Sequence, residues 1–240
     1  MAFFDLHTHL LCGVDDGAQT EEEMLALVDL AYADGTRAIC LTPHFSPYLF
    51  GDTSARSAEV FERLRELVAP RYPDLELYLG HELGYHASCV QALRGGSCRT
   101  LNNSRYLLVD FPAEVDFFEI RSAMEQLRGI GYRVVLAHPE RYACLAHRFD
   151  WVEEFISDGG LIQLNALSCT GIAGGSAKKL WKKFVKNHLV HVISSDGHNL
   201  TTRQPKISVC LPYLQKYCSP EEIDDLTFGN ASRIVRNEVI

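Results

Sequence analysis

The chain has 240 residues, of which 47% are hydrophobic, and a formal net charge of -8; a chain of this length can bury about 70–75% of its unfolded surface around one core. The negative balance excludes a nucleic-acid binder as the default, because such proteins carry a basic electrostatic footprint. No basic leader precedes an apolar core and no apolar run approaches membrane-spanning length, so a single cytoplasmic domain over residues 1–240 without a membrane span is expected.

The first element is the apolar run Ala2, Phe3, Phe4 and Leu6, read as a buried strand that carries His7 and His9. Side chains alternate along a strand, so the two imidazoles share a side and can converge on one metal ion. The acidic loop Cys12 to Gly17 follows, with Asp15 and Asp16 as turn formers of which one is free to bind metal. Thr20-Glu21-Glu22-Glu23 is a capping box that opens a helix whose apolar face is Met24, Leu27, Val28 and Ala31.

A second strand, Ala38 to Thr42, runs into Pro43 and His44, where the missing N–H should end the ladder. The aromatic loop that follows, with Tyr48 and Phe50, can cover an aromatic substrate group or simply pack as a loop. Val60, Phe61, Leu64, Leu67 and Val68 give a helix stripe before Pro70. The third strand, Leu75 to Gly80, ends in His81 and Glu82; Glu82 is the better ligand, since a carboxylate can bridge two cations.

Tyr106 to Val109 is a fourth strand delivering Asp110, a carboxylate costly to bury unless paired or metal-bound. A helix from Asp116 to Gly129 leads to the strand Arg133 to Ala137 and to His138, with Arg141 one turn on, placed either to hold a phosphate or to pair with Glu140 or Glu119. A helix near Asp150 precedes the strand Leu161 to Asn165. The lysine-rich helix 178–188 is expected to be a solvated face, with a lipid or acidic-peptide contact as the alternative. A seventh strand, Leu189 to Ile193, delivers Asp196 and His198, again two ligand types at i, i+2 spacing, and Arg203 follows. Apolar runs that repeatedly end in metal-ligand residues point to one site at the ends of the strands.

The eight cysteines include no Cys-x-x-Cys pair, so neither a disulfide framework nor a zinc ribbon is indicated. None is followed six positions later by arginine, which excludes the Cys-x5-Arg loop of thiolate phosphatases.

The motifs DLHTHL, VDDG, TPH, GHEL, TLNNSRYLLVDF, AHPERY and LVHVISSDGHN, in that order, resemble the PHP superfamily, and within it the CpsB/CapC family of bacterial manganese-dependent protein tyrosine phosphatases encoded with capsule and exopolysaccharide genes. The resemblance covers essentially the whole chain. It implies an α/β fold, a distorted TIM-like barrel of seven βα units, with the site at the C-terminal ends of the strands. It implies three divalent metal ions, Mn2+ with Fe or Zn as alternatives: the first held by His7, His9, Glu82 and Asp196, the second by Glu82, Asp110 and His138, the third by Asp16, His44 and His198. Asp110 stands where the family carries Glu. Arg141 and Arg203 correspond to the arginines that face the phosphate, and the implied substrate is the phosphotyrosine tail of a bacterial tyrosine autokinase. Alternatives are a histidinol-phosphate phosphatase or another small phosphomonoesterase of the superfamily, a nuclease-type module, and a non-catalytic kinase-binding protein.

Overall fold

A computed structural model describes residues 1–46, 49–86 and 88–240, with the side chain of His147 also outside the description. Nine strand segments are present among the described residues: β1 Phe3–Thr8, β2 Thr36–Leu41, β3 His44–Phe45, β4 Glu76–Leu79, β5 Glu82–Gly84, β6 Tyr106–Asp110, β7 Arg133–Ala137, β8 Leu161–Asn165 and β9 Val192–Ser194. All pairings are parallel, in the orders β1-β2-β4 and β3-β5-β6-β7-β8-β9.

The two sheets follow one path. Pro43 interrupts β2 but does not end it, because the chain resumes as β3, and Gly80-His81 likewise separates β4 from β5. Across both interruptions the ladder persists through Gly80 N–H to Leu41 O at 2.8 Å and Glu82 N–H to Pro43 O at 3.2 Å. Counting each interrupted pair once gives the seven strands expected, so Glu82 lies inside a strand rather than beyond its end.

Between β9 and β1 regular pairing is reduced to a single bridge, Thr8 to Gly197. Side chains reinforce the seam: Asp5 Oδ1 accepts from Ser195 N at 2.9 Å and Ser194 Oγ from Leu6 N at 3.2 Å. Asp196 N donates to His7 O and His9 N to Gly197 O, both at 2.9 Å. The result is a distorted α/β barrel of the PHP type.

Three apolar clusters hold it. Phe4, Leu6, Ala38, Cys40, Tyr106, Leu108, Val135, Ala137, Leu161 and Val192 come from strands all round the ring and fill its interior, with Ala231, Ile234 and Val235 closing the end where the strands begin. Each such Leu, Val or Phe contributes roughly 1.5–3 kcal/mol on full burial. Helices α1 (Glu21–Asp34) and α2 (Ser54–Val68) cover β2 and β4 through Met24, Leu27, Val60 and Leu64. Helices α3 (Cys89–Gly95), α4 (Phe117–Gly129), α5 (Phe149–Ser157) and α6 (Gly175–Lys186) pack outside the remaining strands. Short helices α7 (Leu211–Leu214), α8 (Pro220–Asp224) and α9 (Asn230–Val235) end the chain.

Capping follows the sequence reading with one change: Thr20 Oγ1 accepts from Glu23 N at 3.2 Å, but Glu23 returns to Gln19 N at 2.8 Å rather than to the cap itself. The lysine-rich helix begins earlier than its lysines suggest. It buries Ala177, Leu180, Trp181, Phe184 and Val185 and leaves Lys178, Lys179, Lys182, Lys183 and Lys186 exposed, the solvated face expected. Helix α3 was not legible in the sequence, its seven residues being too few for a periodic stripe. No helix among the described residues is long and apolar enough to cross a membrane.

Candidate metal centre

Strand β1 is bulged where it matters. Between Asp5 and Thr8 it spends three steps against two on β2, from Ile39 to Leu41. Leu6 follows Phe4 into the apolar interior by ordinary alternation, and the bulge turns His7 and His9 into the polar mouth, a common use of a bulge beside a site. His7 Nε2 lies 3.1 Å from His9 Nε2 and 3.1 Å from Glu82 Oε1, and His9 Nε2 lies 3.2 Å from Glu82 Oε2. Asp196 Oδ1 is 3.6 Å from both imidazole nitrogens.

Glu82 also meets the other two sets. His138 Nε2 is 3.0 Å from its Oε1 and 3.7 Å from Asp110 Oδ1. His44 Nδ1 is 2.9 Å from its Oε2, while His44 Nε2 and His198 Nε2 lie 3.4 and 3.5 Å from Asp16 Oδ1. The donor atoms of His7, His9 and Glu82, those of Glu82, Asp110 and His138, and those of His9, Asp16, His44 and His198 each lie within 4.8 Å of one another. All nine expected residues thus meet at one mouth. Two details differ from the expected sets: Asp196 stands outside the tightest group, and His9 takes part in two.

The backbone is held in an uncommon shape at two of these residues. His138 and Asp196 have φ of 33° and 54°, which costs about 1–3 kcal/mol each and persists only where surrounding structure imposes it. The Asp15-Asp16 loop is pressed against the end of β1: a Cβ on Gly17 would lie 1.9 Å from His9 O.

Several partners were not legible in the sequence. Asp15 Oδ2 accepts from His9 Nδ1 at 2.7 Å and from His44 N at 2.9 Å, which turns His9 Nε2 toward Glu82. Gln163 Oε1 meets His7 Nδ1 at 3.0 Å, Gln163 Nε2 donates to Asn165 Oδ1 at 2.9 Å, and Asn165 Nδ2 donates to Asp196 Oδ2 at 2.7 Å. Tyr142 donates its hydroxyl to Asp110 Oδ1 at 2.9 Å. The signal for the pair on β8 was two amides at i, i+2 in a buried strand, where unpartnered polar groups are costly.

Electrostatics set the charge states. Burial opposes ionisation of Glu82, but His7 and His44 overcome it and hold the carboxyl well below its usual range. Asp196 is held down in the same way against burial, by His7, Arg141 and Arg203. Burial works against protonation of His7 and His44 too, yet Glu82 and the other carboxylates raise them to about 9 and about 11. Burial and the neighbouring His9 bring His198 down to about 4. Burial raises Asp110, with His138 opposing.

The donors suit a divalent cation. They are imidazole nitrogens and carboxylate oxygens without sulfur, a set that takes Mn, Fe or Zn. His198 Nε2 is buried and finds no hydrogen-bond partner among the described residues.

Arg141 Nη2 lies 3.0 Å from Asp196 Oδ2, and Arg203 Nη2 lies 2.8 and 2.9 Å from its two oxygens. Glu140 is not the partner of Arg141; it is buried, with its Oε1 accepting from Asn165 N and Ser168 Oγ. His81 faces away from the mouth, accepting from Arg99 N at 3.0 Å and stacking on Phe45. In the aromatic loop Phe50 stacks on His44 with ring centroids 5.3 Å apart, while Tyr48 lies outside the described residues. Beside the arginines a cavity of about 640 Å³ opens, lined partly by Ala143, Leu167, Ile172 and Leu180. All eight cysteines are free thiols, and Cys40 is a buried hydrophobe as expected.

Comparison with known proteins agrees with this geometry. The tyrosine-protein phosphatase CpsB of Streptococcus pneumoniae is 30% identical over 241 residues, covering 98% of this chain and 99% of that protein. The crystal structures of YwqE from Bacillus subtilis and CpsB from Streptococcus pneumoniae, described as unique metal-dependent tyrosine phosphatases, match with a TM-score of 0.89 at 26% identity, over 99% of this chain and 96% of that one. Histidinol phosphate phosphatase from Lactococcus lactis, with zinc, L-histidinol and phosphate, matches with a TM-score of 0.59 at 14% identity over 89% of this chain and 93% of that one, a likeness of fold alone. The family model for capsular polysaccharide synthesis, CpsB/CapC, matches residues 3–236, and the chain belongs to that family.

Proposed function

We propose that the chain is a metal-dependent protein-tyrosine phosphatase. One observation carries this reading: nitrogen and oxygen donors converge on one mouth, with two guanidinium groups fixed at its rim. In this reading His7, His9, Glu82 and Asp196 hold one ion, Glu82, Asp110 and His138 a second, and Asp16, His44 and His198 a third, with manganese as the ion. Bound there, the ions supply polarisation of the phosphoryl oxygens and bring the pKa of a coordinated water to about 7, as in favourable zinc sites.

The chain's own groups do the rest. Arg141 and Arg203 present planar forks to the remaining phosphoryl oxygens and stabilise the charge that develops there. Asp196 fixes both forks from below, and the line Asp196–Asn165–Gln163–His7 ties their position to that of the imidazoles. A departing tyrosinate, with a pKa of about 10, leaves without strong acid assistance, whereas a seryl alkoxide needs a proton donor. The open cavity beside the arginines leaves room for a peptide-borne aryl group. The physiological substrate we propose is the phosphotyrosine tail of a bacterial tyrosine autokinase that controls capsule or exopolysaccharide synthesis.

The deciding assay compares phosphotyrosine and phosphoserine peptides of one sequence, with histidinol phosphate alongside. Strong preference for phosphotyrosine is expected. Equal peptide rates, or faster turnover of histidinol phosphate, would shift the assignment to a general or small-molecule phosphomonoesterase.

A further inference from the structure

Away from the mouth, one other set of described residues brings metal-type donor atoms within 4.8 Å of one another: His188, Cys218 and Glu222. His188 lies in the turn between α6 and β9, at the opposite end of the barrel strands from the mouth. Cys218 directly precedes the cap of α8, and Glu222 lies in the first turn of that helix.

Two local preferences are set aside to make this cluster. Ser219 caps α8, its Oγ accepting from Glu222 N at 3.2 Å; a capping box would return the Glu222 carboxylate to the N–H of Ser219. Glu222 Oε1 instead meets His188 Nδ1 at 2.6 Å. His188 itself has a φ of 54°, in the left-handed region that most non-glycine residues avoid.

We propose that His188, Cys218 and Glu222 form a second metal site, for a borderline-soft ion such as Zn2+, with water as the fourth ligand. The chemistry differs from that of the mouth, where no sulfur is present: one thiolate, one imidazole and one carboxylate are a zinc set. Zinc–ligand bonds of about 2.0–2.3 Å place tetrahedral donors roughly 3.3–3.6 Å apart. The 2.6 Å contact must therefore open slightly and the looser ones close. The side chains are free to do so, His188 being 56% and Glu222 32% exposed. Binding releases the thiol proton of Cys218 to solvent. The bound ion fastens the turn that feeds β9, the strand leading to Asp196 and His198, to the C-terminal helices. This site does not depend on which phosphomonoester the mouth accepts.

Cobalt(II) titration of the reduced, full-length protein tests the proposal, because a sulfur-to-cobalt charge-transfer band cannot arise from the nitrogen and oxygen donors of the mouth. A near-ultraviolet band with the intensity of one sulfur-bound cobalt per chain is expected, present in Cys12→Ser and lost in Cys218→Ser. The Cys218→Ser protein should bind one zinc fewer while its phosphatase rate is unchanged. Absence of the band, or a band that survives Cys218→Ser, overturns the site. Should Cys218→Ser fail to fold by circular dichroism, His188→Ala and Glu222→Gln give the decision: each should weaken the cobalt affinity at least about tenfold, and an unchanged titration overturns the proposal.

Discussion

The Tyr142 hydroxyl bridges Asp110 to its own strand end, donating to Asp110 Oδ1 at 2.9 Å while accepting from Phe111 N at 3.0 Å. The shorter arm of Asp110 is thereby pinned 3.7 Å from His138. Removing the hydroxyl frees that carboxylate to rotate. Tyr142→Phe should lower metal affinity or turnover by about 10–100-fold, the usual effect of losing a partner that orients a ligand. Metal analysis beside steady-state kinetics checks this, and wild-type values for both would show that Asp110 needs no such support.

Glu82 touches every histidine set at the mouth, so its loss should be felt by all of them. Glu82→Gln keeps the shape and removes the charge that His7 and His44 face. Fewer ions per chain and a rate down by at least about 100-fold are expected. Full metal occupancy in that variant would contradict the bridging position.

Arg141→Ala and Arg203→Ala separate phosphate binding from metal binding. Each should reduce kcat by about 100–1000-fold, the range for removing a preorganised donor to a developing negative charge, while the metal content stays that of the parent. A fall in metal content of equal size would mean that the guanidinium groups serve Asp196 rather than substrate.

His191 gives a prediction about acid stability away from the site. Burial and then Arg133 hold it down at about 4, and its Nδ1 accepts from Ile162 N at 3.2 Å. The unfolded chain takes up this proton near pH 6.5 and the folded one only near pH 4, so stability present above pH 6.5 is lost between those limits. The loss amounts to up to about 3 kcal/mol. His191→Asn, which keeps an acceptor near the Nδ1 position, should flatten that part of the profile. Urea unfolding of chelator-treated proteins at pH 6.5 and pH 4 compares the two, and equal slopes would exclude His191 as the cause.

How far the sequence could be read depended on whether a residue's task is local. His7, His9, Asp110, His138, Asp196 and His198 were visible because each interrupts or ends an apolar run, where a polar residue needs a reason. Gln163, Asn165 and Tyr142 were not, since their partners are 156, 31 and 32 residues away and only the assembled sheet brings them near. The bulge in β1 was equally hidden: alternation correctly put His7 and His9 on one side, yet it would have turned that side away from the interior that Leu6 enters. Likewise Pro43 reads as a stop, but a strand can resume after one missing donor when its neighbour still bonds to the proline carbonyl.

The seam between β9 and β1 joins residues 188 and 190 positions apart, and this separation governs when the centre can exist at all. At about 5–20 residues per second of synthesis, His7 and His9 wait on the order of 10–40 s for the segment that completes their surroundings. By then the growing chain already holds seven of the nine donors, but β1 has only one flank and Asp196 and His198 are still missing. A chain whose synthesis stops before β9 therefore lacks Asp196, the anchor of both arginines, and leaves the group of His9, Asp16, His44 and His198 one donor short.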